Sequence, residues 1–412
     1  MRTFGVEEEL LLVDVHSGRL VAAAQPILER YDAGVRAGSA RTGDTAGSQP
    51  GDAGSQPGDA AGSRPGNTAG SQRGNSAGSQ PGKEASPSEV LKLEVQQEQI
   101  EVVSPPCTGI VELEEAIKRG RARADTAAKL VGARAVAMAT AIEQVQPHLV
   151  PKPRYQTMMQ RFGLLLKEQL TCGFHVHVAV DSDEEGVAVL DRIRIWLPVV
   201  LALSCNSPYW RGTDTSYCSY RYQVWSRWPS TGPSEIFGSG TAYRTLVASL
   251  LDSGVLLDPG MVYFDARLSP HQPTVEIRIA DVCMQAEHAA VLAGVIRALV
   301  ETAAQQWRAG EEPLPVKAVQ LRLASWQASK SGVEGELVHP LLNKPCNPGT
   351  AVTALLEQAA PVLEQWGERS VAEQVLERIL RHGTGSRRQR LSMSRSGSRL
   401  SVVADAVEIT HA

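Results

Sequence analysis

One long stretch of this 412-residue chain cannot build a hydrophobic core. Between Arg36 and Glu89 there is no Val, Ile, Leu, Met, Phe, Trp, Tyr or Cys. The stretch repeats a degenerate heptapeptide, AGSQPGD at 46–52 and 53–59 and variants of it up to residue 83. No apolar burial offsets the entropy of ordering it, and long loop insertions cost a fold little. We therefore predict one domain over 1–412 with a disordered insert at 36–89, inert rather than a tether.

Charge and hydropathy exclude several classes of protein. Lys and Arg number 41 against 45 Asp and Glu, a net charge of −4, so nothing favours nucleic-acid binding. The longest apolar run, 196–204, is less than half of the roughly 20 residues that a membrane span needs. Acidic residues at 7–9 stand where a signal peptide would be apolar. The six cysteines form no CxxC pair, which predicts neither disulfides nor a zinc ribbon and favours a cytoplasmic protein.

Hydrophobic periodicity predicts single strands separated by long helices. The predicted strands are 3–13, parts of 90–103, 174–180 and 274–282. The predicted helices are 111–142, 158–170, 186–204 with a kink at Pro198, 286–307, 353–366 and 370–381, followed by an Arg-rich loop and a final helix. This order favours an α+β fold with a mostly antiparallel curved sheet flanked by helices.

The first candidate site is the Glu7-Glu8-Glu9 run in the first predicted strand. On a strand, Glu7 and Glu9 point to one face and Glu8 to the other. Two neighbouring carboxylates repel each other unless a positive charge lies between them, and a divalent cation bound through oxygen ligands would supply it. A solvated strand edge is the alternative.

A second acidic pair, Glu94 and Glu101, lies within an apolar stretch. Their spacing of seven residues places them on opposite faces of a regular strand. They can share a site only if the strand bulges or breaks, and taken alone the pair is typical of solvated surface.

His175 and His177 lie on one face of the strand predicted at 174–180. An HxH pair on a strand suits metal ligation through imidazole nitrogen. Alternatively, one histidine binds a metal while the other contacts a nucleotide phosphate, or the two are a hydrogen-bonded structural pair.

Glu276 and Arg278 share a strand face as well. A carboxylate beside a guanidinium can hold a metal next to a phosphate, although a cross-strand ion pair on a solvated face is commoner. The segment 206–233 mixes aromatic residues with Arg211, Arg221 and Arg227, which is typical of a recognition loop for a carboxylate or phosphate.

These strand faces would converge if their strands were neighbours in one sheet. Several carboxylates, histidines and arginines on one face would suit a magnesium–nucleotide site, in which arginines neutralise the charge on a transferred phosphoryl group. The chain has no GxxxxGK[ST], no kinase motif set and no GxGxxG, so the common nucleotide-binding folds are not indicated.

Six segments together resemble the type 2 glutamate–cysteine ligase family, the bacterial carboxylate–amine ligases. They are FGVEEEL at 4–10, 94–106, Arg154-Tyr155, TCGFHVHV at 171–178, NSPYW at 206–210 and TVEIRIAD at 274–281. The resemblance runs from Met1 to about Val403 without the repeat. It departs from the family at 140–148, where we expect a Gly-Thr-His-Pro-like turn.

The resemblance implies the fold of the glutamine synthetase catalytic domain and chemistry that depends on ATP and Mg²⁺. The γ-carboxylate of glutamate would become an acyl phosphate, which an amine such as cysteine would attack; family members are often weak with cysteine. The resemblance also implies a homodimer. The residues assigned to metal binding are Glu7, Glu9, Glu94, Glu101, His175 and Glu276; those assigned to the nucleotide are His177, Arg278 and Arg211; those assigned to catalysis are Arg278 and Arg221.

Three other functions stay open at this point. A phosphotransferase on the same sheet would stop at a phosphorylated substrate. A binding or regulatory protein would keep the fold without turnover. A hydrolase built on His175 and His177 would need zinc and be indifferent to ATP.

Overall fold

The computed structural model describes residues 1–31 and 90–412. The predicted insert at 36–89 lies outside the described residues, so its disorder stays a prediction. Within the described part, no helix is both long enough and apolar enough to cross a membrane. All six cysteines lie in this part as free thiols, in agreement with the absence of a disulfide framework.

One sheet of seven strands organises the described residues. The strands are β1 (Phe4–Asp14), β2 (Val90–Leu93), β3 (Gln99–Val103), β4 (Ala133–Val136), β5 (Gly173–Ala179), β6 (Ala266–Leu268) and β7 (Thr274–Asp281). Their order is β2-β3-β1-β5-β7-β6, and β4 pairs with the last four residues of β1. Every pair in this sheet is antiparallel, which confirms the predicted α+β architecture.

Helices fill most of the remaining chain. They are Ile110–Lys129, Pro153–Phe162, Leu164–Lys167, Asp183–Ile193, Leu197–Ser204, Tyr220–Trp225, Gly240–Asp252, Ala286–Arg308, Ala318–Ser331, Pro348–Gln365, Arg369–His382, Gly385–Ser396 and Arg399–Thr410, with a 3-10 turn at Pro259–Met261. Two minor hairpins pair Tyr209–Trp210 with Thr213–Asp214 and Leu337–Val338 with Pro345–Cys346.

Three predicted elements were wrong in detail. The helix predicted at 111–142 ends at Lys129, because Gly132 adopts a φ of 75° and the apolar residues after it form β4. Pro198 does not kink a helix; it lies in the first turn of a new one, where its missing N–H is not needed. The predicted Arg-rich loop is the helix Gly385–Ser396, in which Arg390 pairs with Asp214.

The two faces of the sheet carry different chemistry. Phe4, Val6, Phe174 and Val176 point to one face, where they pack with helices that include Ala286–Arg308. Each such side chain contributes about 1.5–3 kcal/mol through burial. This packing leaves the opposite face for polar residues.

Glu8 is the one acid of the first run that points to the core. It is 1% exposed and accepts from Arg121 at both oxygens, with Nε–Oε2 at 3.0 Å and Nη2–Oε1 at 2.7 Å. A buried charge needs such a partner, so the role of Glu8 is structural.

Candidate active site

The pairing of the three central strands brings the histidines beside two of the predicted acids. Glu7 on β1 is directly opposite His175 on β5, and His177 on β5 is directly opposite Glu276 on β7. Cross-strand partners point to the same face of a sheet. These four side chains therefore lie together on the polar face, as the sequence predicted.

Glu7, His175 and Glu276 form a possible metal site. Each offers a ligand atom within 4.8 Å of the other two. Burial disfavours the charged carboxylate of Glu7, but hydrogen bonds from His175 and His177 outweigh this and lower its pKa. Burial, together with the nearby Arg278 guanidinium, lowers the pKa of His175 to about 4. His175 is therefore neutral at pH 7, the form that binds a metal.

A second acidic group comprises Glu9, Glu94 and Glu101. Glu9 is directly opposite Glu101, and β2 and β3 form a hairpin with Glu94 at the start of its connection. The strand break that the spacing of Glu94 and Glu101 required is this connection. Burial and the neighbouring carboxylate of Glu101 raise the pKa of Glu94 well above its ordinary value, and burial and Glu7 raise the pKa of Glu101.

These donors fit Mg²⁺. Hard carboxylate oxygens are the ligands that Mg²⁺ prefers, and a crowded acidic group is stabilised when a cation binds. Lys92 partly neutralises the group, at 3.1 Å from Glu101 and 3.5 Å from Glu7. The Nε2 atom of His177 is buried, and its nearest acid is Glu7, whose Oε2 lies 3.7 Å away.

Arginines balance the acids at the β7–β6 side of the sheet. Glu276 is 2% exposed, accepts from Arg267 Nε at 2.8 Å and also pairs with Arg278. Burial opposes the charge on Glu276, but Arg278 and Arg267 outweigh it and lower its pKa. The sequence analysis missed Arg267, because the three-residue strand β6 carries too short a pattern to predict.

A bulge in β7 changes which residues reach the site. Phe174 pairs with Ala280 while Val176 pairs with Ile277, so three residues of β7 advance against two of β5. Ala280 therefore points to the core, although it lies two residues after Arg278 and regular alternation would place it on the polar face. The next residue of β7, Asp281, lies directly opposite Gly173 of β5.

Asp281 anchors the segment that precedes Arg221. It is 0% exposed and accepts from the backbone N–H of Asn206 at 2.8 Å. The hydroxyls of Ser207 and Ser219 also donate to it, each at 2.7 Å. Fixing both ends of this loop fixes the start of the helix that bears Arg221.

Arg221 reaches the site through a gap that only glycine leaves. Its guanidinium donates to the carbonyls of Ile279 at 3.2 Å and Arg278 at 3.3 Å. A Cβ on Gly173 would lie 2.4 Å from Arg221 Nη2. The N–H of Gly173 donates to Glu9 at 2.6 Å, which also orients that carboxylate.

The structure places Arg211 and Arg227 elsewhere. Both pair with Glu168, Arg227 at 2.7 Å, and neither lines the cavity over the polar face. The prediction that Arg211 contacts a nucleotide therefore has no support in the geometry, since composition placed it in the loop without showing its direction.

The polar face forms the floor of a cavity of about 340 Å³. Aromatic residues make one wall: the rings of Trp225 and Tyr263 are 4.7 Å apart, and those of Trp228 and Tyr263 are 5.6 Å apart. Arg278 lies 5.9 Å from the Trp225 ring. Other residues that line the cavity are Lys92, Gln96, Gln99, Arg154, Tyr155, Gln169 and Thr171.

The segment 140–148 contacts neighbours of this cavity but does not line it. Thr140 forms a β-bridge with Thr171 and donates its hydroxyl to the carbonyl of Tyr209 at 2.8 Å. At the other end, the His148 imidazole is 2.6 Å from Glu98. The segment thus lacks the expected turn sequence and contributes no residue to the lining of the cavity.

Comparisons with known proteins agree with the motifs. A family model described as glutamate-cysteine ligase family 2 (GCS2) matches residues 3–405. "Putative glutamate--cysteine ligase 2-1" of Paenarthrobacter aurescens is 45% identical over 411 residues, covering 100% of this chain and 95% of that protein. "Putative glutamate--cysteine ligase 2" of Streptomyces coelicolor is 42% identical over 412 residues, covering 100% of both.

Solved structures show the same fold at low identity. A glutamate–cysteine ligase from Francisella tularensis, in complex with AMP, aligns with a TM-score of 0.60 at 10% identity, over 100% of this chain and 89% of that one. A bifunctional glutathione synthetase from Pasteurella multocida aligns with a TM-score of 0.61 at 12% identity, and the alignment covers 99% of this chain and 52% of the synthetase chain. The described chain thus spans about half of that bifunctional protein. On the match of the family model and the two close relatives, the chain belongs to glutamate–cysteine ligase family 2.

Proposed function

We propose that this protein is an ATP- and Mg²⁺-dependent carboxylate–amine ligase, with weak glutamate–cysteine ligase activity. The observation that carries the proposal is the gathering of five glutamates, three histidines and four arginines in one cavity of a member of this family. The AMP in the Francisella tularensis enzyme supports a nucleotide in the same fold.

The acids divide into two groups that would each hold Mg²⁺. Glu7, His175 and Glu276 form one group, and the other comprises Glu9, Glu94 and Glu101. Bound Mg²⁺ supplies charge neutralisation at the phosphate oxygens of ATP.

The arginines act on the group that is transferred. Arg278 and Arg221 would stabilise the negative charge on the γ-phosphoryl group, and His177, which lines the same cavity, would contact the nucleotide. Arg267 joins them as a positioning residue, since it orients Glu276.

The reaction needs no covalent enzyme nucleophile. The carboxylate oxygen of the acid attacks the γ-phosphorus, ADP leaves and an acyl phosphate forms. The amine nitrogen then attacks the acyl carbon, the C–O bond to phosphate breaks, and the amine loses a proton. Burial and Glu9 raise the pKa of the nearby Cys172 well above its ordinary value, so this thiol is a poor nucleophile.

The test is release of ADP and phosphate from ATP with glutamate and a panel of amines including cysteine, with mass detection of products. An amide of glutamate formed with equal ADP and phosphate supports the ligase. ADP without phosphate, together with a phosphorylated acid, would identify a phosphotransferase instead. Hydrolysis that needs zinc and ignores ATP would replace the proposal altogether.

The protein's binding partners, oligomeric state and location are proposed on the same grounds. Its partners are small molecules, an amino-acid carboxylate and an amine. Homodimerisation and a cytoplasmic location stay predictions, and sedimentation of the full chain together with cell fractionation would test them.

A further inference from the structure

Among the described residues, Lys92 is the one lysine or arginine that lines the cavity from its acidic side. The strands β1, β2 and β3 and the β2–β3 connection contribute four glutamates to the lining, Glu7, Glu9, Glu94 and Glu101, and this single lysine. The arginines of the lining come from other elements. The reaction proposed above gives Lys92 no role.

Two carboxylates pair with the Lys92 ammonium, one from each acidic group. Its Nζ is 3.1 Å from Oε1 of Glu101, the residue directly opposite on β3, and 3.5 Å from Oε1 of Glu7 on β1. Glu7 belongs to the first group proposed to hold Mg²⁺, and Glu101 belongs to the second. The ammonium therefore lies against carboxylates of both proposed metal sites.

The ion pairs of Lys92 can be exchanged for other partners. Its side chain is 49% exposed, whereas those of Glu101 and Glu7 are 8% and 20% exposed. Such half-exposed pairs contribute little to folding, and the flexible stem of a lysine lets the ammonium turn within the cavity. Because β2 is an edge strand, protection of the sheet edge is the alternative role for this lysine.

One positive charge acts in opposite directions on the two ligands proposed for this cavity. The ammonium repels Mg²⁺ from the carboxylates with which it pairs, and it attracts phosphate oxygens. A free Mg²⁺ ion meets only the repulsion. A Mg²⁺–nucleotide complex also offers the ammonium a phosphate as a new partner, so the charge at Lys92 distinguishes the complex from the ion.

We propose that Lys92 selects the Mg²⁺–nucleotide complex over the free Mg²⁺ ion. The ammonium opposes binding of the ion alone and turns to a phosphate oxygen when the complex binds. This role rests on the proposed function in placing Mg²⁺ and a nucleotide in this cavity, and it does not depend on which acid or amine reacts.

Two affinities of the full chain test this role without turnover. Calorimetry would measure the affinity for Mg²⁺ alone and the affinity for a non-hydrolysable ATP analogue at a fixed Mg²⁺ concentration. Lys92→Met should bind Mg²⁺ alone about fivefold or more tightly and the analogue about fivefold or more weakly. A structural defect would weaken both affinities, so the opposite signs identify the effect of the charge.

Two further variants serve as controls. Lys92→Arg keeps the charge and should keep both affinities within about twofold of wild type. Lys152→Met removes the same charge nearby, since Lys152 Nζ lies 5.4 Å from the ring of Tyr155 without lining the cavity, and it should also change both affinities less than about twofold. Lys92→Gln replaces the methionine variant if that variant does not fold.

Three results would overturn the role of Lys92. They are unchanged affinities in Lys92→Met, as expected of a lysine that only protects the edge, a loss of both affinities in that variant, and an equal shift in Lys152→Met. A wild-type chain that binds neither ligand would overturn the proposed function and this role together. Shifts of the expected signs without any amide product would count against the proposed reaction alone.

Discussion

The close approach of Gly173 and Arg221 makes a sharp test of how the site is built. Gly173→Ala would place a Cβ 2.4 Å from Arg221 Nη2 and 3.0 Å from His175 Nε2. Ordinary carbon contacts begin near 3.4 Å, so the guanidinium must retreat by about 1 Å. Arg221 is 2% exposed and its carbonyl partners hold it, so the shift is resisted.

The expected cost is divided between stability and rate. Overpacking of this kind lowers the free energy of unfolding by about 1–3 kcal/mol. A displacement of about 1 Å at a positioned group lowers turnover by about 10²-fold. Denaturant unfolding measures the first effect, and Mg²⁺-dependent ADP release with glutamate and an amine measures the second.

A control and a double variant separate the clash from a general effect of alanine. Gly109→Ala is the matched control, because its Cβ meets only Glu368 Oε1 at an ordinary 3.5 Å. Arg221→Lys removes the clashing Nη2, so the combined variant should lose less stability than the sum of the two single variants. Additive losses, or a Gly173→Ala enzyme with wild-type rate and stability, would refute the reasoning.

Four further predictions follow from the assigned positions. Glu7→Gln should abolish Mg²⁺-dependent turnover and cost less stability than Glu276→Gln, which should lower the unfolding free energy by about 3–5 kcal/mol because it leaves two buried guanidiniums uncompensated. Arg211→Ala should keep turnover within about twofold of wild type, since its guanidinium pairs with Glu168 outside the cavity. Burial raises the pKa of Asp265 from 3.8 to about 7, so its contribution to stability is full below pH 3.8 and is lost as pH rises through 7; the Asp265→Asn variant should gain on wild type by roughly 4 kcal/mol over this range in denaturant titrations. Deletion of 40–84 should leave the kcat of amide formation near wild type.

Each of these has a result that contradicts it. Magnesium-dependent turnover in Glu7→Gln would show that this carboxylate is not a metal ligand. Equal stability of the Glu7 and Glu276 variants would show that the buried ion pairs of Glu276 with Arg267 and Arg278 do not stabilise the fold. A large loss of turnover in Arg211→Ala would show that this residue does contact the nucleotide. A stability difference for Asp265→Asn that is flat with pH would contradict the raised pKa. A large loss of activity on deletion of the repeat would show that it is not inert.

Strand alternation explains why so much of the candidate site could be predicted. Each of the pairs Glu7 with Glu9, His175 with His177 and Glu276 with Arg278 lies two residues apart, and such spacing fixes a common face without knowledge of any neighbour. Motif resemblance added which of these pairs belong together. The structure agrees on their faces and brings them into one cavity.

Strand alternation could not predict contacts between segments that are far apart in the chain. Glu94 joins Glu101 only because the chain reverses between β2 and β3, and Ala280 leaves the polar face only because β7 bulges against β5. Arg211 and Arg221 looked equivalent in one aromatic loop, yet one pairs with Glu168 and the other enters the site.

The sequence by itself determined the antiparallel α+β class, the faces of the central strands and the chemistry of their side chains. These are properties of local spacing and residue type, which act over a few residues. Only the tertiary structure decided that Arg267 pairs with Glu276 and that Gly173 leaves room for Arg221. Such relations depend on hydrogen bonds and close packing between segments far apart in the chain, and no local pattern encodes them.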